Sequence, residues 1–294
     1  MFKQKYDVMP RHVLCVLGSG LDLGTIEEVV GEVGGPGFTV DRESFRQAPD
    51  PRMVRSFRSC LMDDTFERSD WKAVEEHDSV AYVLSPPMAV HSGFDPHRPT
   101  IAGDDDETFE LVWYDAFDAS RLMLAVTAAL LRSGATAAKN ESSGLTHGRD
   151  RWLAIADRAA GADDWVALAV ALYYAWVKRP LADGNLLRSC GMHLLGAPDV
   201  EVEAAWLAQE TGRRPPGAQV DDSVELMDQM ALYLLCEDRA RKIQDGEGFR
   251  LAPDAPRWIL ERHPCRQYDE DDFYFNPYGY WRLTPDASST PAER

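Results

Sequence analysis

The sequence predicts an α+β fold in which mixed sheets pack against helices. Three observations lead to this class. The chain opens in the order β-α-β, two long segments further along have helical periodicity, and the last part is rich in turn residues and aromatics, as β-hairpins are. Apolar residues make up 45% of the chain, enough to bury a sizeable core.

The opening elements are read from one apolar run and one amphipathic segment. His12–Gly18 is continuous, rich in β-formers and bounded by glycine, which predicts a buried strand. Thr25–Val33 has apolar residues at helical spacing, with Thr25 as N-cap and Glu28 completing a capping box. A Gly-Gly-Pro-Gly run ends this helix, and Phe38–Val40 is predicted as a short strand.

The next part of the chain alternates short elements with polar loops. We expect helices at Met53–Leu61 and Asp70–His77, followed by a strand at Ser79–Leu84. The segment His91–Glu107 contains glycine, proline and a run of acids, so it is predicted to be a long loop or an internal boundary.

The middle of the chain is predicted to be mainly helical. Asp118–Arg132 has a clear apolar stripe, Ala135–Lys139 follows as a strand, and Gly148–Ala160 is again a helix. Trp165–Val177 is too apolar to show a period, so helix and strand both remain open. Its aromatics and the Lys-Arg-Pro that follows favour a strand.

The last part is predicted to combine short strands with one more helix. Leu187–Glu203 contains two strands around a Gly-Ala-Pro turn, and Val200 and Val202 alternate with acids as in a half-exposed strand. Val224–Ala240 is a second long helix, and Phe249–Leu283 is a terminal hairpin region. We expect two units, 1–110 and 111–284, with a disordered tail at 285–294.

The formal net charge of -18 restricts the classes of partner. A surface this negative repels nucleic-acid phosphates and anionic lipids, so we expect neither nucleic acid nor membrane as a partner. It attracts a basic protein, although solubility alone would also explain it. The five cysteines form no CxxC pair, the N-terminus has no secretory signal, and the longest apolar run is Trp165–Val177. These features predict a cytoplasmic protein with reduced thiols.

Two motifs that could hold a cofactor or a metal fail on spacing. Gly18–Gly24 follows a strand and precedes a helix, but its GxGxxxG spacing and the missing acidic partner differ from a dinucleotide fingerprint. Cys190 and His193 are an odd number of positions apart, so on a strand they would point to opposite faces. We therefore predict no cofactor and no metal.

Two polar clusters remain as candidate sites. The densest polar stretch comprises Lys139, Asn140, Glu141, Ser142 and His147, and it is where a small ligand would bind in a loop. No nucleophile motif accompanies it. The second is the acidic run Asp269, Glu270, Asp271 and Asp272 with the aromatics after it, Tyr274, Tyr278 and Trp281 among them. Apolar anchors with a negative rim are typical of a protein-recognition surface, whereas packing in the core is the other explanation of these aromatics.

Several segments of the second half carry a family pattern. They are the helix and strand Ser120–Gly144, the Gly-Met…Gly…Pro-acid pattern in Ser189–Glu203, and the helix Val224–Ala240 leading to Asp245 and Gly246. Over roughly residues 115–283 the chain resembles the bacterial family called domain of unknown function 4261 (DUF4261). The family has no activity that can be assigned to residues. The resemblance implies a bacterial cytoplasmic α+β protein similar to those found near toxin and immunity genes.

These observations lead to one main hypothesis and two alternatives. The main one is a bacterial immunity-type protein that neutralises a basic partner, such as a toxin, through the acidic, aromatic-bearing surface. The first alternative is an enzyme or small-ligand-binding protein that uses the loop Lys139–His147. The second is a subunit of a homo-oligomer.

Overall fold

A computed structural model of the chain describes residues 10–61, 66–88, 106–204 and 217–286, with side chains left out of account at 106–114 and 217–221. It confirms the α+β class and the opening order β-α-β. The predicted loop at 91–107 lies almost wholly outside the described residues, as does the tail beyond Asp286. In the described ranges no helix is long and apolar enough to cross a membrane.

The first sheet is formed by five strands in the order β2-β3-β1-β4-β5, and all its pairs are antiparallel. Its strands are β1 (Val13–Gly18), β2 (Thr39–Val40), β3 (Ser79–Leu84), β4 (Ala135–Asn140) and β5 (Leu145–Thr146). The opening strands β1 and β2 are therefore separated by β3. The predicted boundary at residue 110 falls within a helix, and β4, beyond it, pairs with β1, before it.

Helices cover both faces of this antiparallel sheet, whose central strand β1 is buried at every position. The helices α1 (Leu23–Gly34) and α4 (Asp106–Arg132) pack on the face that carries Leu14 and Val16. On the other face, α2 (Met53–Cys60) and α3 (Arg68–Glu75) cover Cys15 and Leu17.

The second sheet has six strands in the order β6-β7-β8-β11-β10-β9. Its β8 and β11 run parallel and the other pairs antiparallel, so this sheet is mixed. The strands are β6 (Lys178–Asp183), β7 (Leu186–Cys190), β8 (Asp199–Glu203), β9 (Gly248–Phe249), β10 (Trp258–His263) and β11 (Tyr280–Pro285). The pairing of β10 with β11 agrees with the predicted hairpin region, and Pro285, placed in the predicted tail, ends β11.

The other helices of the described residues are α5 (Arg149–Ala160), α6 (Trp165–Trp176) and α7 (Gly217–Cys236). Helix α5 packs on β4, α7 packs on β7 and β8, and α6 lies against both helices. The strand prediction for Trp165–Val177 is wrong, because this segment is α6. Asp164 caps it by accepting a hydrogen bond from the Ala167 amide at 2.8 Å. The helix shows no apolar period because it contacts α4, α5 and α7 and is buried on most sides.

The half-exposed strand predicted from Val200 and Val202 is also wrong. In β8 the acids are buried as well as the valines, with Asp199 and Glu201 both at 0% exposure. The valines face the helices in the core, while the segment between β10 and β11 covers the acids from the other side. The alternation of valines and acids along β8 therefore reflects two buried environments, an apolar one under the helices and a polar one under the segment between β10 and β11.

Candidate functional site

The predicted ligand loop Lys139–His147 mostly builds the protein interior. Asn140 donates a hydrogen bond from Nδ2 to His12 Nδ1 at 2.9 Å, and its Oδ1 accepts one from the Ser142 amide at 2.7 Å. The Ser142 hydroxyl donates to the Arg11 carbonyl at 2.6 Å and accepts from the Val13 amide at 3.0 Å. Asn140 and Ser142 thus fasten the start of β1 to the end of β4.

His12 is held by a chain of hydrogen bonds that defines its tautomer. The Ser120 hydroxyl donates to the Leu194 carbonyl at 2.6 Å, so it accepts from His12 Nε2 at 2.8 Å. His12 Nδ1 then serves as the acceptor for Asn140. Burial, with a smaller contribution from neighbouring His193, lowers the pKa of His12 to about 3. With both ring nitrogens bonded, His12 and Ser120 are arranged for structure and not for nucleophilic catalysis.

Two of the other buried histidines, His147 and His193, lie where separate segments of the chain meet. His147 bonds the Tyr174 carbonyl through Nε2 at 3.0 Å, and burial lowers its pKa to about 4. His193 lies in the 3₁₀ turn Met192–Leu195, where burial lowers its pKa to about 4. The backbone groups of Phe273 and Ser142 beside the His193 ring offset this only in part. His193 therefore lies between the two segments that the sequence singled out.

Lys139 and Glu141 form the one charged pair of the predicted ligand loop. The Lys139 side chain is 2% exposed, and its Nζ donates to Glu141 at 2.8 Å and to Ser56 Oγ at 2.5 Å. The Glu141 side chain is 22% exposed. A buried ammonium needs such partners, because desolvation without them is costly. Glu141, unlike Lys139, keeps part of its side chain open to solvent.

The predicted partner surface divides into an exposed and a buried part. We name the segment 264–279, between β10 and β11, the acidic aromatic loop. Asp269, Glu270 and Asp271 are exposed and Asp272 is partly so. Tyr278 and Trp281, in contrast, are buried and pack in the interior. Their burial fits the core-packing explanation, and in this conformation they offer no contact to a partner.

Phe273 and Tyr274 occupy the boundary between these parts. Phe273 follows the acids and is 54% exposed, whereas Tyr274 is half-buried. The Tyr274 ring lies against Gly144, where a φ of +60° and the nearby phenol favour glycine. The acidic aromatic loop therefore contacts the predicted ligand loop, although more than a hundred residues separate them.

Buried polar groups hold the acidic aromatic loop onto the second sheet. Asn276 donates from Nδ2 to Asp199 at 2.7 Å, and Gln267 donates from Nε2 to Glu201 at 2.9 Å. Burial raises the pKa of Asp199. Glu201 accepts two further hydrogen bonds from the guanidinium of Arg282, at 2.8 and 2.9 Å. The loop is long, yet these contacts give it a defined position.

A pocket of about 360 Å³ opens where the two segments meet. It lies at the end of the first sheet that carries Val13 and Leu84, beside the face covered by α2 and α3. Its lining comes from five separate segments: Arg11, Val13, Asp41, Ser44, Tyr82, Leu84, Glu141, Phe273 and Tyr274. Only Glu141 and Tyr274 belong to the predicted site residues. Arg11, Asp41 and Tyr82 were missed because no local pattern marks them, and only the strand pairing brings them together.

The glycine turn after β1 is occupied by carboxylates. Asp78 accepts hydrogen bonds from the Gly20 amide at 2.6 Å and from the Ser19 hydroxyl at 3.2 Å. Asp22 accepts from the Thr25 amide at 2.9 Å as the N-cap of α1, the role predicted for Thr25. Two negative groups thus stand where a dinucleotide phosphate would contact the helix N-terminus. Across the described ranges, no three His, Cys, Asp or Glu side chains are grouped to hold a metal ion.

No family model, curated protein or solved structure matches this chain significantly. The resemblance to DUF4261 therefore stays a prediction from the sequence.

Proposed function

We propose that this chain is a bacterial protein-binding protein of the immunity type, which neutralises a basic partner such as a toxin by docking it on the acidic aromatic loop. The observation that carries the proposal is the exposure of Phe273 directly after the acidic run. An exposed aromatic beside a pocket, with charges at its rim, is the arrangement from which interface hot spots are built.

The charge of the molecule supports a basic partner. The net charge of -18 attracts a cationic protein over long distances and speeds its association. The acids Asp269, Glu270 and Asp271 are exposed and add to this field next to Phe273. The same repulsion between like charges disfavours pairing of two copies through this loop, so the homo-oligomer is the weaker alternative.

The anchoring of the loop supports binding without a large ordering cost. Asn276 and Gln267 tie it to buried carboxylates of β8. A recognition loop that is already ordered loses less conformational entropy on binding than a flexible one.

The hydrogen bonds made by His12 and His147 favour a structural role for these side chains over proton transfer.

We propose that this binding takes place in the bacterial cytoplasm. All five cysteines are free thiols, which suits a reducing compartment. The DUF4261 resemblance adds support by association with toxin and immunity genes. The alternative, an enzyme or small-ligand-binding protein that uses Lys139–His147, is supported only through Glu141, which lines the pocket.

Co-purification of the tagged chain from its native host tests the proposal. We expect a stoichiometric basic protein that is retained at low salt and released at about 0.5 M salt, since screening shortens the range of surface charges. Phe273→Ser should abolish the capture. Val166→Ser is the matched control, because Val166 is 53% exposed on α6, away from the loop. Recovery of no partner, or equal capture by both variants, would refute the assignment.

A further inference from the structure

The pocket beneath the acidic aromatic loop spans four neighbouring strand positions of the first sheet. Asp41 follows β2 and its amide bonds the Tyr82 carbonyl at 2.9 Å, while Leu84 pairs with Val13 on β1. On the other side of β1, the Glu141 amide bonds the Val13 carbonyl at 2.7 Å. With strands about 4.8 Å apart, Asp41 and Glu141 stand at opposite ends of the pocket.

The strand that lies between those carrying the two carboxylates contributes a cation to the pocket. Arg11 precedes β1 and lines the pocket, and its guanidinium forms no hydrogen bond or ion pair with the described residues. Asp41 is held ionised, because hydrogen bonds from Ser44 lower the pKa of its carboxyl. Both carboxylate oxygens of Glu141 lie 2.8 Å from Lys139 Nζ, and the Glu141 side chain is 22% exposed and lines the pocket. The pocket thus presents negative, positive and negative groups in sequence.

The walls between the charged groups are apolar and aromatic. Val13 and Leu84 form the floor, and the rings of Tyr82, Phe273 and Tyr274 stand around it. Burial raises the pKa values of Tyr82 and Tyr274, so both phenols are neutral hydroxyls. Aromatic faces favour a cation or an aliphatic stem placed over them. A volume of about 360 Å³ suits one small organic molecule.

We propose that this pocket binds a free basic α-amino acid, arginine or lysine. Its carboxylate pairs with Arg11, its α-ammonium faces Glu141 one strand away, and its aliphatic stem crosses the floor to place the side-chain cation at Asp41. A purely anionic ligand would face the two carboxylates, and an amine without a carboxylate would leave Arg11 unpaired. The inference holds whether or not a partner protein binds the loop.

Titration of the full-length chain with L-arginine and two analogues tests the proposal. L-Citrulline keeps the shape but lacks the side-chain cation, and agmatine lacks the carboxylate. We expect each analogue to bind about tenfold more weakly than L-arginine or worse, since hydrogen bonds between charged groups are the strong ones. L-Lysine should bind like L-arginine. Isothermal titration gives the affinities, and the rise in melting temperature checks them.

Two variants assign the charges to their positions. Arg11→Gln should remove the preference for L-arginine over agmatine, and Asp41→Asn should remove the preference over L-citrulline while its Oδ1 still accepts the Glu43 and Ser44 amides. Arg158→Gln, on the exposed side of α5, is the matched control and should bind like the wild type.

Three results of these titrations would contradict the binding of a basic α-amino acid. Binding of L-citrulline or agmatine within about threefold of L-arginine would overturn it, and so would no binding at about 10 mM. Unchanged selectivity in Arg11→Gln would also overturn it. Because no partner protein takes part in these titrations, their failure is distinct from a failure of the proposed function.

Discussion

We expect three of the buried histidines to make the free energy of unfolding of this protein depend steeply on pH. Burial lowers the pKa of His12 to about 3 and those of His147 and His193 to about 4, from the ordinary value of 6.5. Between pH 6.5 and 4 the unfolded chain binds these protons and the folded chain does not. The part of the unfolding free energy that depends on these three histidines is therefore fully present above pH 6.5. It is lost as the pH falls through this window.

The expected loss is comparable with the whole stability of a domain. Lowering the pH from 6.5 to 4 costs about 3 kcal/mol for one such histidine and about 8 kcal/mol for the three together. Typical unfolding free energies are about 5–15 kcal/mol. The raised pKa of buried Asp199 acts in the opposite direction and offsets part of the loss. We therefore expect the protein to unfold between about pH 5.5 and 4.

Urea unfolding followed by tryptophan fluorescence at a series of pH values measures this slope. Near pH 5 the unfolding free energy should change by up to about 4 kcal/mol per pH unit, equivalent to three protons. His147→Gln should reduce the slope by one proton, since glutamine keeps a donor for the Tyr174 carbonyl but does not titrate. Val166→Thr, at an exposed position, is the control and should leave it unchanged. A slope below one proton, or an unchanged slope in His147→Gln, would refute the reasoning.

Three substitutions test the buried contacts around the pocket by equilibrium unfolding. Arg282→Met should lower the free energy of unfolding by about 3–5 kcal/mol, because it removes the guanidinium partner of the buried Glu201 carboxylate. A loss below about 1 kcal/mol would contradict a buried ion pair. Asp199→Ala should cost about 1–3 kcal/mol and make the acidic aromatic loop more sensitive to protease, because the Asn276 amide loses its acceptor. Asp199→Asn should be milder, because its single amide oxygen can still accept the hydrogen bond from Asn276. Equal effects of the two substitutions would argue against this anchor. Gly144→Ala should cost at least about 1–2 kcal/mol, since φ is +60° and the added methyl meets Tyr274; an unchanged melting temperature would contradict that contact.

Local patterns were informative wherever an element has two distinct faces or a clear end. The strand Ser79–Leu84 was predicted with the bounds it has, because it is a compact run of β-formers between polar residues. The helix α6 was missed because its environment is apolar on most sides, so that no period remains in the sequence. Asp164 as its N-cap and the many alanines that follow were the local signals for a helix.

The sequence likewise predicted only part of the candidate site. The sequence identified two polar stretches, and local composition was sufficient to mark Glu141, Tyr274 and the exposed acids. It could not show that Asn140 and Ser142 are committed to the backbone of β1, nor that Tyr278 and Trp281 are interior. Burial of an individual side chain depends on what the rest of the chain places over it.

The sequence by itself determined the α+β class, most strands and helices, the acidity and the polar stretches, because these follow from residue type and short-range spacing. The tertiary structure alone decided which of these residues share a pocket. Arg11, Asp41, Tyr82, Glu141 and Phe273 come from different segments, and they meet because the non-sequential strand order β2-β3-β1-β4 places the ends of four strands side by side and the acidic aromatic loop closes over them. Such long-range pairing depends on the sum of many weak packing contacts, and no local pattern encodes it.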